Sequence, residues 1–251
     1  MMAILSDQEF LRYDRQISLK GFDIDGQERL KQSSALIIGL GGLGCSAAQY
    51  LAASGIGQLT LVDFDTVSLS NLHRQILHTE QSINQHKVDS AAQALKQINP
   101  SIQLQTLASA LDDDALAVQL QKQSIVLDCS DNLATREQIN RLCYQYKVPL
   151  VSGAAIRMEG LLSTFIYQDN QPCYHCLSQL FGQDHLTCAE SGVMSPLVGM
   201  IGAMQAMEAI KVLTQFGKPL IGRLLTVDAM TMQFTEIKFN PLPHCPICSH
   251  A

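Results

Sequence analysis

The chain has 251 residues, a formal net charge of −6 and a charged fraction of only 16%. This length fits one large domain or two small ones, at roughly 100–200 residues per domain. The hydrophobic fraction of 47% excludes an intrinsically disordered chain. Lys and Arg are never adjacent and Trp is absent, so the composition indicates neither a basic surface nor a base-stacking surface for nucleic acid.

The sequence indicates neither an export signal nor a membrane span. The N-terminal segment is acidic by residue 7 and lacks an apolar run. The most apolar stretch, 197–213, is interrupted by Gln205, Glu208 and Lys211, which favours a buried helix over a membrane span of about 20 apolar residues. We therefore expect a cytoplasmic protein without membrane association. In that reducing environment, metal binding or catalysis explains the eight cysteines better than disulfides do.

Hydrophobic periodicity in the first 152 residues predicts strands and helices in alternation. A capping-box pattern begins the first helix at Ser6, residues 21–26 form a break, and a short polar helix follows at 27–32. Strands are then predicted at 35–39, 58–62, 102–107, 124–128 and 148–152, and helices at 43–54, 87–98, 112–121 and 133–146. This alternation is typical of an α/β fold with a mostly parallel, Rossmann-like sheet and helices on both faces.

The pattern changes after residue 152. Longer strands are predicted at 155–168, 223–228 and 232–239, and no helix separates each pair. We interpret them as a mixed or antiparallel C-terminal extension of the same sheet. No low-complexity linker and no internal repeat divides the chain, so the sequence predicts a single domain over residues 1–251.

The loop between the first long strand and its helix is rich in glycine. Its glycines are Gly39, Gly41, Gly42 and Gly44, and Asp63 closes the next strand. Glycines at this point let backbone N–H groups approach a phosphate or ribose, and the carboxylate accepts hydrogen bonds from ribose hydroxyls. The pattern indicates an adenine nucleotide and leaves NAD and ATP both open, although no Walker A Lys-Ser/Thr follows. The alternative is a turn needed only for strand–helix packing.

A group of polar residues follows the second and fourth strands of this half. Its members are Asp65, Ser70, Asn71, Arg74, Gln75, Lys87, Asp131 and Asn132. All fall at the C-terminal edge of the sheet, where such folds bind ligands. Cations suit a triphosphate and an aspartate suits Mg²⁺, whereas hydride transfer needs none of this charge. Solvated loop charge is the alternative for each residue taken alone.

Two CxxC pairs predict a metal site. The pairs comprise Cys173, Cys176, Cys245 and Cys248. Four thiolates are enough for a closed tetrahedral Zn²⁺ site, which has no open position and is therefore structural. A redox pair is one alternative, and His175, His244 or His250 as substitute ligands is another. Three further cysteines lie in apolar surroundings and are predicted to be core residues: Cys45, Cys129 and Cys143.

Taken together, the motifs resemble the MoeB/ThiF family, whose members are relatives of ubiquitin-activating enzymes. The resemblance rests on GLGGLG, DFDTVSLSNLHRQ, HK, DCSDN and the paired CxxC motifs, and extends over nearly the whole chain. RYDRQI, VPLVSGAAIRMEG and TCAESGVMSPLVGMIGAMQAMEAIK are most similar to the molybdopterin branch of that family. The shared core motifs are less specific for the substrate than for the family.

The resemblance implies a homodimeric enzyme that uses Mg·ATP. Its substrate would be a small β-grasp sulfur-carrier protein ending in Gly-Gly, with two carriers per dimer. The enzyme would adenylate the terminal carboxylate, release pyrophosphate and leave sulfur delivery to a separate donor protein. The expected carrier is the small subunit of molybdopterin synthase, in molybdenum cofactor biosynthesis. A thiamine-pathway or tRNA-thiolation carrier is the alternative.

The same resemblance implies roles for individual residues. Gly42 and Asp63 would contact the nucleotide, Asp131 would hold Mg²⁺, and Arg15 would reach ATP from the partner subunit. Phosphate binding would fall to Asn71, Arg74, Gln75 and Lys87. Cys188 matches a cysteine that takes a covalent role in some members, and a bystander role is the alternative. No general base is expected, because a terminal carboxylate is already ionised at pH 7.

The resemblance also divides the single domain by task. Residues 1–152 would form the nucleotide-binding half, and residues 153–251 the half that docks the carrier and holds zinc. The carrier tail would pass the loop at 182–194, and its globular body would rest on the sheet extension. Candidate docking residues, which would otherwise belong to the core, are Leu161, Leu162, Phe165 and Phe234. Two rival functions, an NAD-dependent oxidoreductase and a nucleotide sensor without turnover, leave some or all of the charged residues unused.

Overall fold

The computed structural model describes residues 4–181 and 192–249. Its eight strands form one sheet in the order β3-β2-β1-β4-β5-β6-β7-β8. The strands are β1 Ser34–Ile38, β2 Gln58–Val62, β3 Gln103–Leu107, β4 Ile125–Asp128, β5 Leu150–Ile156, β6 Glu159–Phe165, β7 Arg223–Asp228 and β8 Gln233–Lys238. The helices are α1 Asp7–Ile17, α2 Asp23–Gln32, α3 Gly42–Ser54, α4 Lys87–Ile98, α5 Asp113–Leu120, α6 Leu133–Tyr146, α7 Tyr174–Ser178 and α8 Ser195–Thr214.

The first five strands are parallel, as the alternation of strands and helices predicted. In β1, Ala35 and Ile37 point to one apolar cluster and Leu36 to the other, so both faces of the strand are buried. This explains why β1 and its neighbour β4 are continuous apolar runs. In the sheet, Ile38 pairs with both Val62 and Asp128, so the carboxyl ends of three strands meet at one edge.

The last three strands are antiparallel, which confirms the predicted extension of the sheet. The single strand predicted at 155–168 is wrong, because the chain forms a hairpin there. In that hairpin β5 runs on to Ile156, β6 begins at Glu159, and these two residues pair. Arg157 makes the turn with φ +54°. A turn without Gly, Pro or Asn carries none of the usual sequence signals.

Helix α2 begins earlier than the sequence predicted. The break assigned to 21–26 is confined to its first residues, where Gly21 has φ +92°, and the helix starts at Asp23 rather than at Gln27. Gly26 lies inside the helix. A Cβ at this position would stand 2.8 Å from Cδ2 of Phe22, so the position requires glycine. The glycine makes room for the Phe22 ring and does not break the helix.

Helix α8 is the one helix among the described residues that is long and apolar enough to cross a membrane, with a mean hydropathy of 1.3 over its most apolar window. It packs along α3 and across the sheet. A Cβ at Gly202 would lie 2.3 Å from the carbonyl oxygen of Leu43, so the two helices approach closely. Gln205 and Glu208 are buried on it and bond to protein groups. These contacts are those of the buried core helix that the sequence predicted.

The boundary placed between residues 152 and 153 falls inside β5. One apolar cluster spans that boundary, since it contains Ile37 and Leu127 together with Ile201 and Val227. The two halves therefore share a sheet and a core. Their separate tasks stay a prediction.

Candidate nucleotide site and cysteine cluster

A cavity of about 330 Å³ lies at the edge where β1, β2 and β4 end. It brings together most of the residues predicted to bind a nucleotide. Those that line it are Gly39, Gly41, Gly42, Asp63, Asp65, Asn71, Arg74, Gln75, Lys87, Asp131 and Asn132. Ser70 and Gly44 do not line it among the described residues.

The glycines of the loop have different neighbours. Gly39 has φ +95°, and a Cβ there would lie 2.7 Å from the Cys129 carbonyl oxygen. At Gly44 a Cβ would lie 1.8 Å from the Gly39 carbonyl oxygen, so these two glycines allow the strand, loop and helix to pack. At Gly41 the nearest atom to an added Cβ is the Gln75 side-chain nitrogen, 3.8 Å away. Gly41 therefore leaves space that faces the cavity, which suits a ligand held against bare backbone.

Asp63 is fixed at the cavity wall by two backbone groups. One carboxylate oxygen accepts from the Leu40 N–H at 2.7 Å, and the other accepts from the Asp65 N–H at 2.9 Å. Nearby, the buried Oε1 of Gln75 has no hydrogen-bond partner in the described part of the chain. A buried acceptor without a partner is costly, so a ligand that donates a hydrogen bond there would relieve the cost.

Two cations face the cavity. The Lys87 side chain is only 8% exposed, and its Nζ lies 2.7 Å from Oδ2 of Asp65. Arg74 is oriented by Ser70, whose carbonyl oxygen accepts from Nη1 of Arg74 at 3.1 Å. Ser70 thus acts on the site through the Arg74 side chain. A phosphate in this cavity would meet one buried ammonium and one guanidinium, which are the groups that stabilise phosphoryl charge.

The end of β4 supplies the opposite wall. Asn132 caps α6, and its Oδ1 accepts from the Thr135 N–H at 2.9 Å. The Asp131 side chain is exposed there, and no hydrogen bond or ion pair joins it to another described residue. A free carboxylate at the mouth of the cavity is a suitable oxygen ligand for Mg²⁺.

Sequence reasoning missed a buried ion pair behind this wall. Asp128 is fully buried, and its Oδ2 lies 3.5 Å from Nη1 of Arg136 on α6. Burial by itself lowers the pKa of the guanidinium, but the Asp128 carboxylate together with Tyr174 and Cys129 more than offsets this, so the pKa of Arg136 is raised. The signal was a carboxylate at the end of an otherwise apolar strand, in DCSDN, because a buried charge requires a partner.

A second cavity, of about 520 Å³, opens beside the first. The two share Leu43, Ser130, Asp131 and Asn132. The second cavity continues over the β5–β6 hairpin, where small residues form part of its wall: Gly153, Ala154 and Ala155. A thin ligand could lie in it and reach the contents of the first cavity.

Two predicted site residues are not placed in the cavity. The Arg15 side chain is 98% exposed on α1, pairs with Asp14 at 3.9 Å and lines neither cavity described here. A contribution from Arg15 therefore requires a second copy of the chain. Cys188 lies outside the described residues, and so does most of the loop at 182–194.

The four predicted cysteines meet in one cluster, with all four Sγ atoms within 4.8 Å of one another: Cys173, Cys176, Cys245 and Cys248. Two of the Sγ–Sγ distances are 3.7 and 3.4 Å. A tetrahedral ion with Zn–S bonds of about 2.3 Å would separate its sulfurs by about 3.8 Å. The Leu242 N–H and the Asn140 amide each lie close to one sulfur, at 3.3 and 3.7 Å. The donor set and its spacing are compatible with a metal site.

The remaining described cysteines and His175 lie outside that cluster. Cys45, Cys129 and Cys143 are buried, as predicted for core residues. Burial raises the pKa of the Cys45 thiol to about 12, so this thiol is unreactive. His175 contacts Glu137 at 3.2 Å.

A parallel sheet with a glycine loop at β1 and cations at its carboxyl edge defines a nucleotide-binding α/β protein. The ThiF family matches residues 13–247, and the chain belongs to that family. Over 247 residues it is 59% identical to the molybdopterin-synthase adenylyltransferase of Escherichia coli (strain K12), covering 98% of this chain and 99% of that one. It is 56% identical to the enzyme of the same name from Haemophilus influenzae, covering 94% and 98%.

More distant relatives agree with this result. The adenylyltransferase and sulfurtransferase MOCS3 of Drosophila virilis is 42% identical, and the match covers 98% of this chain and 55% of that one. The crystal structure of E. coli MccB with ATP has a TM-score of 0.81 at 21% identity, covering 94% and 74% of the two chains, and shows the same fold. The comparisons confirm the predicted family and the predicted class of enzyme, an adenylyltransferase.

Proposed function

We propose that this protein adenylates the C-terminal Gly-Gly carboxylate of a small β-grasp sulfur-carrier protein. The observation that carries the proposal is the common wall of the two cavities at 130–132. ATP in the first cavity and an extended tail in the second would meet at that wall. The expected carrier is the small subunit of molybdopterin synthase, in molybdenum cofactor biosynthesis. Relatives that carry this activity in their names, at 56–59% identity, support that choice.

The chain's own residues account for the main obstacle to this reaction. A carboxylate must approach the α-phosphorus of ATP, so two anions come together. Arg74 and Lys87 would lie along the phosphates, with Asn71 and Gln75 donating hydrogen bonds. Lys87 is paired with Asp65 at 2.7 Å, which holds its ammonium in place before the phosphates arrive. Orientation and charge are sufficient, because the attacking carboxylate is already ionised.

Two metal ions belong to the proposal. Mg²⁺ would be held at the mouth of the first cavity by Asp131, where it offsets phosphate charge when bound. Zn²⁺ would occupy the four-cysteine cluster, which has no place for a substrate because all four ligands come from the protein. We therefore assign the first ion to the reaction and the second to the structure.

The second cavity suits a Gly-Gly tail. Its wall includes the small residues Gly153, Ala154 and Ala155, which would let an extended chain segment lie close to the sheet. Two glycines pass a narrow channel because they lack side chains. Of the candidate docking residues, Leu162 and Phe165 are buried and offer no docking surface, although Leu162 lines the second cavity together with Leu161. Phe234 is 44% exposed on β8 and is retained as the docking residue.

The proposal includes a homodimer that binds two carriers. Arg15 is exposed on α1 close to Leu11, which is 81% exposed. An apolar and cationic surface of this kind suits a partner subunit that receives the arginine in its own nucleotide cavity. A separate protein would donate sulfur to the acyl-adenylate. We place the enzyme in the cytoplasm, where free cysteines such as those of the cluster stay reduced.

Pyrophosphate exchange tests the function and the choice of carrier together. The enzyme is mixed with ATP and one carrier at a time, taken from the molybdopterin, thiamine and tRNA-thiolation pathways. We expect exchange with the molybdopterin-synthase subunit and little with the other two. Exchange with another carrier would select the alternative substrate. Exchange with none, in enzyme that still binds ATP, would contradict the proposed function.

A further inference from the structure

The Arg136 guanidinium connects the segment just after β4 to the middle of β5. It lies on α6, one turn after the cap, with a side chain only 10% exposed. Its Nη2 donates to the carbonyl oxygens of Ser130 and Gly153, the latter at 3.0 Å, and its Nη1 donates to Ser152 Oγ at 3.3 Å. Ser130 follows β4 and Gly153 lies in β5, so one side chain sets the spacing between the two.

The Asp128 carboxylate bonds to the same two segments as Arg136 does. Its Oδ1 accepts from the Ser130 N–H at 3.0 Å and from the Ser130 hydroxyl at 2.6 Å. Its Oδ2 accepts from the Ser152 hydroxyl at 3.2 Å. From α8, the Gln205 amide donates to the Asp128 carbonyl oxygen at 2.8 Å. The backbone just before Asp131 is therefore held on several sides.

Stability alone is a weak reason for this arrangement. A buried ion pair usually contributes little net stability, and apolar residues of similar volume can replace one without loss. The pair also has one distance of 3.5 Å rather than a bidentate geometry. What the apolar replacement could not do is bond to two carbonyl oxygens and so fix the loop that forms the wall between the cavities.

We propose that Arg136 is a positioning residue for adenylation. It holds Ser130, and through Ser130 the Asp131 carboxylate, at the point where the two cavities meet. Asp128 acts with it by orienting the guanidinium. The inference rests on the proposed function, in which Asp131 faces ATP and the second cavity receives the tail. A displaced wall would misplace the reacting groups, and small displacements are costly to rate.

The test uses Arg136→Met, Arg136→Lys and Asp128→Asn in the full chain. For Arg136→Met we expect kcat to fall by about 30-fold or more, with KM for ATP and for the carrier changed by less than about threefold. Lysine keeps the charge but cannot bond to both carbonyl oxygens as arginine does, so Arg136→Lys should recover only part of the rate. Asp128→Asn keeps the shape of the side chain and should also lower kcat. It therefore serves as the second test if Arg136→Met does not fold.

A binding measurement gives a second readout. Mn²⁺ is titrated calorimetrically into the enzyme with a non-hydrolysable ATP analogue. We expect about tenfold weaker binding in Arg136→Met and an intermediate value in Arg136→Lys, because a displaced Asp131 is a poorer ligand. Arg141→Met is the matched control, since Arg141 lies on the same helix in an exposed ion pair with Asp113 at 2.8 Å. It should change neither rate nor binding.

Unchanged kcat and Mn²⁺ binding in a folded Arg136→Met enzyme would overturn the inference. So would a rise in the carrier KM alone, because that result would make Arg136 a contact of the tail. The proposed function fails separately, when the unaltered enzyme adenylates no carrier. In that case the calorimetric comparison still decides whether Arg136 positions Asp131.

Discussion

Glycines that look equivalent in the GLGGLG motif meet different surroundings. Gly39 occupies a left-handed backbone conformation against the Cys129 carbonyl, whereas Gly41 has an ordinary φ of −76° and faces the cavity. The first position serves packing, whereas the second leaves space that the proposed ligand would use. The packing interpretation of the loop therefore applies at Gly39, and the ligand interpretation stays a prediction for Gly41.

Alanine substitutions separate the two roles. Gly39→Ala should cost about 1–3 kcal/mol in the free energy of unfolding, because the residue must keep a strained φ beside a carbonyl oxygen. Gly41→Ala should leave the unfolding temperature unchanged but weaken ATP binding, since its Cβ would fill space facing the cavity. Thermal unfolding and ATP calorimetry on both variants measure the difference. Equal ATP affinity in Gly41→Ala and the unaltered protein would mean that the ligand does not approach this backbone.

Lys87 and Lys96 lie on the same helix and offer a matched pair. Lys87 is buried beside the cavity, and Lys96 donates to the Pro100 carbonyl oxygen at the far end. Lys87→Met should lower kcat for adenylation by about 100-fold or more, because a preorganised charge is lost at the phosphates. Lys96→Met should leave kcat unchanged. A Lys87→Met enzyme with near-normal turnover would show that the phosphates lie elsewhere.

At the scale of elements, the C-terminal segment is held to α7 by the cysteine cluster. Cys173 immediately precedes α7 and Cys176 lies within it, whereas Cys245 and Cys248 follow β8. Cys248→Ser should release the metal and lower the unfolding temperature, since metal binding supplies folding energy. His244→Ala should keep a full equivalent of metal, because this exposed residue is outside the cluster. Metal analysis showing the opposite pattern would reassign the ligands.

Strand β8 lies at the open edge of the sheet and carries exposed apolar side chains. All six of its residues are exposed, among them Phe234 at 44% and Ile237 at 45%. On the proposed function, Phe234→Ser should raise KM for the carrier by about tenfold, because aromatic anchors contribute strongly to interfaces. ATP binding should not change. Thr235→Ala, on the adjacent residue of the same strand, is the control, and an equal effect of both would argue against docking by the Phe234 side chain.

The elements that the sequence predicted correctly share one property. Their local sequence pattern favours the same structure that the tertiary packing requires. The apolar runs of β1 and β4 and the Ser6 capping box are examples, and the structure contains all three. The β5–β6 turn was not predicted, because Arg157 adopts φ +54° and an arginine does not indicate that conformation in a sequence. The break predicted at 21–26 is wrong at Gly26, because a glycine in a sequence can indicate either a helix break or a close contact within a helix.

The site shows the same division. Residues of three separate motifs were predicted to lie at one edge because parallel strands end together, and the structure brings Asp63, Lys87 and Asp131 to one cavity there. The Asp128–Arg136 ion pair was not predicted, because groups of β5 and α8 hold the two residues in place. Such contacts involve residues that are far apart in the chain, and a single sequence does not reveal them.

For the whole molecule, the proposed homodimer would complete each nucleotide site with the exposed Arg15 of the partner subunit. Arg15→Ala and Lys87→Ala are each expected to be inactive. If Arg15 acts across the dimer, a mixture of the two variants should form heterodimers that each have one intact site. When subunits exchange at random, about a quarter of all sites are intact, so the mixture should recover up to about a quarter of the activity of the unaltered enzyme. Activity after subunit exchange, followed with tagged copies, measures this. A mixture that stays inactive despite proven exchange would place Arg15 outside the reaction.

Helix α6 joins the two special regions of the molecule. Its cap Asn132 lines the first cavity, Arg136 donates to the Ser130 carbonyl oxygen just after β4, and the Asn140 amide donates to the Cys173 sulfur at 3.7 Å. These contacts recur at every fourth residue, so they lie on one face. A single residue inserted between them would rotate the rest of the helix by about 100°, and a whole added turn would shift it by about 5.4 Å. The length of this helix between its two ends is therefore fixed to the residue, while the surface loops of the chain are free to vary.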